Sequence, residues 1–320
     1  MNLNLLGENL TNPALLFFIL GIIAVYLKSD LEIPPNSSKF ISIYLLLSIG
    51  FKGGQELSHE MFNHEIIWSM FFGVFIALTI PFYTFFILKT KLAVYDAGAV
   101  AAAYGSVSAV TFVTAVSYLE SFHLTLHGYM VAVMALMESP AIIVGLILIS
   151  FFETEKTNAV TKRSVIQHSL TNGSVLLVLG SLLIGYFADA KQAEGIKPFT
   201  NNLFKGFLAI FLLDMGITSG RKLKSFFQLG WFPFLFAVLI PLANGCIFAL
   251  LSSLVTADIA NRFIFAVLAA SASYIAVPAA MKITVPQANP GLFLPMALAV
   301  TFPVNITIGM PIYFLIVKYF

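Results

Sequence analysis

What this chain has least of is charge. Lys, Arg, Asp and Glu make up 10% of its 320 residues, 59% are hydrophobic and the mean hydropathy is +0.93, which excludes a soluble domain as its main body. A net formal charge of +2 with no basic run gives nucleic acid nothing to bind. Cysteine occurs once, at Cys246, so an intrachain disulfide is impossible. Tryptophan is limited to two residues against 32 phenylalanines, a balance that fits lipid-facing and packing roles. The segment Gly216 to Lys222 has a glycine-lysine look but lacks the Walker spacing and the Ser/Thr after the lysine, so no nucleotide motif supplies energy from ATP. The histidines, His59, His64, His123, His127 and His168, fall in loops or at the ends of apolar stretches and read as solvated. No metal-ligand or nucleophile-base set lies in the apolar stretches, and the loops are too short to carry an active site. An enzyme is not expected, nor an organic cofactor.

What is present is a series of apolar stretches, each near the length of about 20 residues that a membrane-spanning helix needs. They lie at 12–28, 39–56, 66–88, 96–118, 127–152, 169–189, 202–220, 229–254, 259–282 and 291–317. The predicted fold is therefore an all-α polytopic membrane protein of about ten spans. Nothing basic precedes the first span and no small-x-small cleavage site follows it, so it reads as a retained span rather than a signal peptide.

The second half repeats the first at an offset of about 160 to 167 residues. Lys39 to Gly54 lies on Lys205 to Gly220, and Ala99 to Phe112 lies on Ala266 to Ala279. Pro81 and Pro140 find counterparts in Pro241 and Pro303. An odd number of spans per half makes the copies inverted, with repeat 1 over 1–153, a linker over 154–168 and repeat 2 over 169–320. Lys28, Lys39, Lys89, Lys91, Lys156, Lys162, Arg163, Arg221, Lys222, Lys224 and Lys282, eleven of the 17 basic residues, then share one side. The positive-inside rule makes that side cytoplasmic and puts both termini outside an inner membrane.

Chemistry is expected where both halves lose helical character. Span four runs through small residues into Tyr104-Gly105-Ser106-Val107-Ser108, and span nine into Ser271-Ala272-Ser273-Tyr274 ahead of Pro278. Glycine, paired serines and proline weaken a continuous helix, so helices four and nine are predicted to be broken. An unwound backbone at membrane depth must line protein or a wet cavity. Inversion would bring two helix N-termini together there, a site for an anion. The plainer alternative is close helix crossing on small residues with back-bonded serines. Glu138, before Pro140, is a carboxylate at depth and a candidate for coupling a cation. Thr301 and Asn305 form a matching polar kink in span ten. Asp214 is a second acid, expected near a solvated helix end.

At these residues the chain resembles the sodium-dependent bicarbonate transporters of the SbtA type. The resemblance is carried by Gly105 to Thr111, by Ala269 to Pro278 and by the loop Pro286-Gln-Ala-Asn-Pro290, and runs over most of both halves. It implies sodium symport, a homotrimer, a PII-like cytoplasmic regulator and an anion site at Gly105, Ser106, Ser108, Ser271, Ala272 and Ser273. Thr111, Glu138, Tyr274 and Asn305 are the candidate sodium contacts. Where those transporters read Ser-Ser-Ser-Asp, this chain reads Ser271-Ala272-Ser273-Tyr274, which removes a carboxylate that would hold a hard cation. Their long linker is also missing. The expected function is sodium-coupled symport of bicarbonate or a similar small anion by alternating access. The alternatives are a proton- or sodium-coupled symporter of a small organic monoanion, a passive anion channel and a non-transporting sensor.

Overall fold

The computed structural model describes residues 13–59, 63–153, 173–226, 230–274 and 276–320; the expected linker 154–168 lies outside the described residues. Among the described residues, part of each predicted apolar stretch is helical. The helices are α1 (Pro13–Tyr26), α2 (Pro35–Ser58), α3 (His64–Lys89), α4 (Val94–Gly105), α5 (Ala109–Ser121), α6 (Tyr129–Phe152), α7 (Gly173–Phe187), α8 (Ala190–Lys197), α9 (Phe204–Phe226), α10 (Trp231–Leu251), α11 (Ile259–Ala270), α12 (Ala276–Thr284) and α13 (Pro290–Tyr319). Their starts follow local chemistry. Asn63 accepts from Ile66 N at 3.0 Å, Asp258 from Asn261 N at 2.8 Å, and Asn289 from Gly291 N at 2.8 Å just ahead of Pro290. Each such cap is worth about 1 kcal/mol.

Among the described residues, six helical segments are long and apolar enough to cross a membrane: His64–Lys89, Val94–Ser121, Tyr129–Phe152, Lys191–Lys222, Trp231–Leu254 and Pro290–Tyr319. Leu15–Tyr26, Leu176–Phe187 and Ile259–Ala270 are shorter apolar helices. The protein is an all-α polytopic membrane protein. Outward faces agree with a lipid surround: on α3, Trp68, Phe71, Phe75, Leu78, Phe82 and Phe86 are exposed at helical spacing, a stripe that lipid covers.

The helices sort into two groups. One packs α2 on α7 and α1 on α9, with α2 also against α9; the other packs α3, α4 and α6 together, and α10, α11 and α13 together. The pairs correspond between the halves. Gly216 of α9 lies where any side chain would strike the Phe18 carbonyl of α1, and Gly50 of α2 lies against the Val178 carbonyl and Ser181 of α7. These two glycines are the ones the sequence repeat superimposes, and each lets a neighbouring backbone approach closely.

The broken helices run through the interior. Every residue of α4 from Ala97 to Gly105 and of α11 from Ala260 to Ala270 is buried, and so are Ser106, Ser108, Ser271 and Ser273 of the breaks that follow, as unwound backbone at membrane depth requires. Arg262, also buried, donates from Nη1 to Val317 O at 3.3 Å and from Nη2 to Ala249 O at 3.1 Å. It thus places a cation on the C-terminal ends of α13 and α10, where the helix dipoles favour positive charge.

Candidate functional site

Both predicted breaks are present. Helix α4 stops at Gly105 and α5 starts at Ala109; α11 stops at Ala270 and α12 starts at Ala276. The two stops have the same backbone geometry, Ser106 at φ −84°, ψ 173° and Ser271 at φ −80°, ψ 163°. Ser106 therefore corresponds to Ser271 and Ser108 to Ser273. This is two residues away from the register in which Ala99–Phe112 superimposes on Ala266–Ala279, because the equivalence is one of backbone shape rather than of residue identity.

The breaks satisfy each other. Ser108 N–H donates to Ser271 Oγ at 3.1 Å, and Ser273 N–H donates to Ala103 O, in the last turns of α4, at 2.8 Å, so the two breaks pack directly against each other. Ser271 Oγ donates onward to Leu268 O at 2.9 Å. Ser108 Oγ accepts from Thr111 N at 3.1 Å, the N-cap of α5, and Ser273 Oγ accepts from Val277 N at 3.3 Å in the first turn of α12. Asn305 Nδ2 donates to the carbonyl freed at the end of α11, Ala270 O, at 2.6 Å, while Asn305 Oδ1 accepts from Tyr313 Oη at 3.0 Å. Buried unmatched groups of this kind cost about 1–3 kcal/mol each, so these bonds hold the crossing in one shape.

A cavity of about 30 Å³ opens beside the crossing. By this measure a water occupies about 10–15 Å³, so the space takes two or three water-sized groups. Its wall is formed by Ser42, Leu45 and Leu46 of α2, Val107 to Val110 and Val113 at the α5 start, Glu138 of α6, and Ser273, Tyr274 and Ala276 at the α12 start. The first N–H groups of both helices are left over by their turns: among the described residues Ala109, Val110 and Ala276 donate to no protein acceptor. The Tyr274 hydroxyl is buried beside Ser108 without a hydrogen bond of normal geometry, and its ring meets Phe302 edge-on at 6.3 Å. One wall of the cavity is therefore made of donors at two helix N-termini, which favours negative charge.

The opposite character comes from Glu138. It is buried, and its carboxylate makes no bond to the protein among the described residues while lining the cavity. Ser106 Oγ donates to its backbone carbonyl at 3.4 Å. A lone carboxylate at membrane depth costs about 2.5–3.5 kcal/mol on insertion scales, a penalty that a bound cation removes.

Of the residues expected at the site, Ser108, Ser273, Tyr274 and Glu138 stand on the cavity wall. Gly105, Ser106, Ser271 and Ala272 lie behind it and shape the breaks; a side chain at Gly105 would run into the ring of Pro81. Thr111 sits inside the first turn of α5. Asn305 has both amide atoms engaged as described, within one of two π-turns, Met296–Thr301 and Asn305–Gly309, that interrupt α13. Thr301 bonds Tyr104 Oη at 2.7 Å and donates to Ala237 O at 2.7 Å. Asp214 differs from expectation: it is buried within α9, and Ser38 Oγ donates to its carboxylate. Sequence reasoning missed Ser42 and the backbone donors of Ala109, Val110 and Ala276. An N–H carries no residue signature, and Ser42 is one hydroxyl in an apolar run.

Comparison with curated proteins gives no match. A comparison with protein families matches residues 13–318 to the Na+-dependent bicarbonate transporter superfamily. With nearly the whole chain matched, and with two broken helices meeting at an anion-favouring cavity, this protein belongs to the Na+-dependent bicarbonate transporter superfamily.

Proposed function

We propose that the protein is a secondary active symporter that couples sodium to the movement of bicarbonate or a similar small anion. The observation that carries this reading is the cavity between the N-termini of α5 and α12. It presents the N–H groups of Ala109, Val110 and Ala276 and the Tyr274 hydroxyl on one side, and the Glu138 carboxylate on the other. The donors suit an anion of trigonal shape and the carboxylate suits the coupling ion. The coupling cation offsets the Glu138 carboxylate, so the anion enters beside a neutralised side chain rather than a second negative charge.

In this reading Glu138 supplies the charge that Tyr274, in place of an acid, does not, and Thr111 and Asn305 hold the frame. The chain makes about ten crossings as two inverted repeats, with both termini outside an inner membrane. The group built on α1, α2, α7 and α9 and the group built on the broken helices shift relative to each other, opening the crossing to one side at a time. Assembly as a homotrimer is part of the proposal. The short segment over 154–168 gives a PII-like regulator little chain to hold. The cavity's size favours bicarbonate over a larger organic monoanion.

Uptake of labelled bicarbonate into proteoliposomes at fixed pH, with and without an inward sodium gradient, tests the proposal. Accumulation that follows the sodium gradient supports it. Flux that ignores the gradient replaces it with a passive anion channel, and binding without flux with a sensor.

A further inference from the structure

A second cavity lies along the same helices as the first. A space of about 50 Å³ is lined by Ile49, Lys52 and Glu56 of α2, by Val116 and Glu120 of α5, and by the turn around His127. These residues continue the faces that line the first cavity. On α2 the series Ser42, Leu45, Ile49, Lys52, Glu56 steps by three or four, and on α5 so does Val110, Val113, Val116, Glu120. Both cavities therefore lie on one seam between α2 and α5, about 10 Å apart at 1.5 Å of rise per residue. Ile49 and Val116, both buried, line the end of the second cavity nearer the crossing.

At the outer end stands an ion-pair group. Glu120 Oε1 accepts from Lys52 Nζ at 2.7 Å, and its Oε2 lies 3.5 Å from Lys205 Nζ of α9. Glu120 is carried by α5, one of the broken-helix elements, whereas α2 and α9 belong to the other packing group. These ion pairs bridge the two groups in their present relative position. Withdrawing Glu120 would leave two cations at the mouth of the seam, a charge arrangement that attracts an anion.

We propose that the α2–α5 seam is the anion's route to the crossing from this face, and that Glu120, held between Lys52 and Lys205, is the gate that closes it. The proposal rests on the site at the crossing for its destination, but the gate can be tested without any substrate. In a Cys246→Ser background, Ile49→Cys places a single thiol at the inner end of the second cavity. Its rate of labelling by a membrane-impermeant maleimide, applied from the face that bears Lys52, reads the opening of the gate.

The partly exposed pair supports an expected rise of about fivefold in that rate for Glu120→Gln, with a rise also for Lys52→Gln. Lys52→Arg, which keeps the charge, should leave labelling slow. An unchanged rate in Glu120→Gln, or labelling of the introduced thiol only from the opposite face, overturns the proposal; so does fast labelling in Lys52→Arg, since packing rather than charge would then hold the seam. Failure of the bicarbonate reading would show itself instead as absent uptake with the labelling pattern intact.

Discussion

Ser108 and Ser271 tie the two halves of the protein together: the backbone N–H of Ser108 donates to the hydroxyl of Ser271 at 3.1 Å. Ser108 begins the half-helix after one break and Ser271 ends the half-helix before the other, so this bond joins the two breaks beside the cavity.

Ser271→Ala removes the acceptor for Ser108 N–H and leaves that buried donor unmatched, a cost of about 1–3 kcal/mol. Bicarbonate uptake should fall about tenfold while the protein still inserts, and Ser271→Thr should retain most activity. Initial uptake rates normalised to membrane abundance check this; wild-type rates in Ser271→Ala would remove the crossing from the mechanism.

Glu138→Gln keeps the shape of the side chain and removes its charge. The sodium concentration for half-maximal uptake should rise about tenfold or more, a change of at least about 1.4 kcal/mol. Asp214→Asn should leave it within about twofold, because Asp214 is held by Ser38 away from the cavity. Sodium titrations of uptake in the two variants decide between these acids, and the reverse pattern would move the coupling site to α9.

Much of this was legible in the sequence. The repeat, the two breaks and Glu138 stand out because glycine, serine pairs, proline and a lone carboxylate are rare signals against an apolar background. The matched glycines Gly50 and Gly216 were visible for the same reason, and both prove to be close-packing points. The correspondence of Ser106 with Ser271 was shifted by two residues, since it depends on backbone torsion and not on side chains. Asp214 was expected to be solvated because it stands near the end of its span. Its partner Ser38 is on a helix far away in sequence, and only packing brings them together.

Asn305→Leu strips the donor from Ala270 O and the nearer of two acceptors from Tyr313 Oη, leaving Pro241 O at 3.3 Å. Two buried bonds are lost, and thermal stability in detergent should fall by several degrees, with a loss on the order of 2 kcal/mol. The apparent sodium affinity of the surviving protein should stay near the wild-type value. A large loss of sodium affinity with unchanged stability would return Asn305 to the cation site.

The cavity's volume of about 30 Å³ sets which anions compete. Formate and nitrate, trigonal and small, should inhibit bicarbonate uptake at millimolar levels, whereas lactate and larger carboxylates should not. Tyr274→Phe, which removes one donor and keeps the ring, should weaken all of the small anions by about three- to tenfold and leave sodium dependence unchanged. Inhibition by lactate as strong as by formate would favour the organic monoanion reading.

The most direct measurement is the position of the anion itself, by cryo-electron microscopy of the protein in lipid nanodiscs with saturating sodium and bicarbonate, compared with sodium gluconate. The account predicts planar density that appears only with bicarbonate, within hydrogen-bond distance of the N–H groups of Ala109, Val110 and Ala276. Bicarbonate-dependent density elsewhere, with this cavity unchanged between the two conditions, would contradict it.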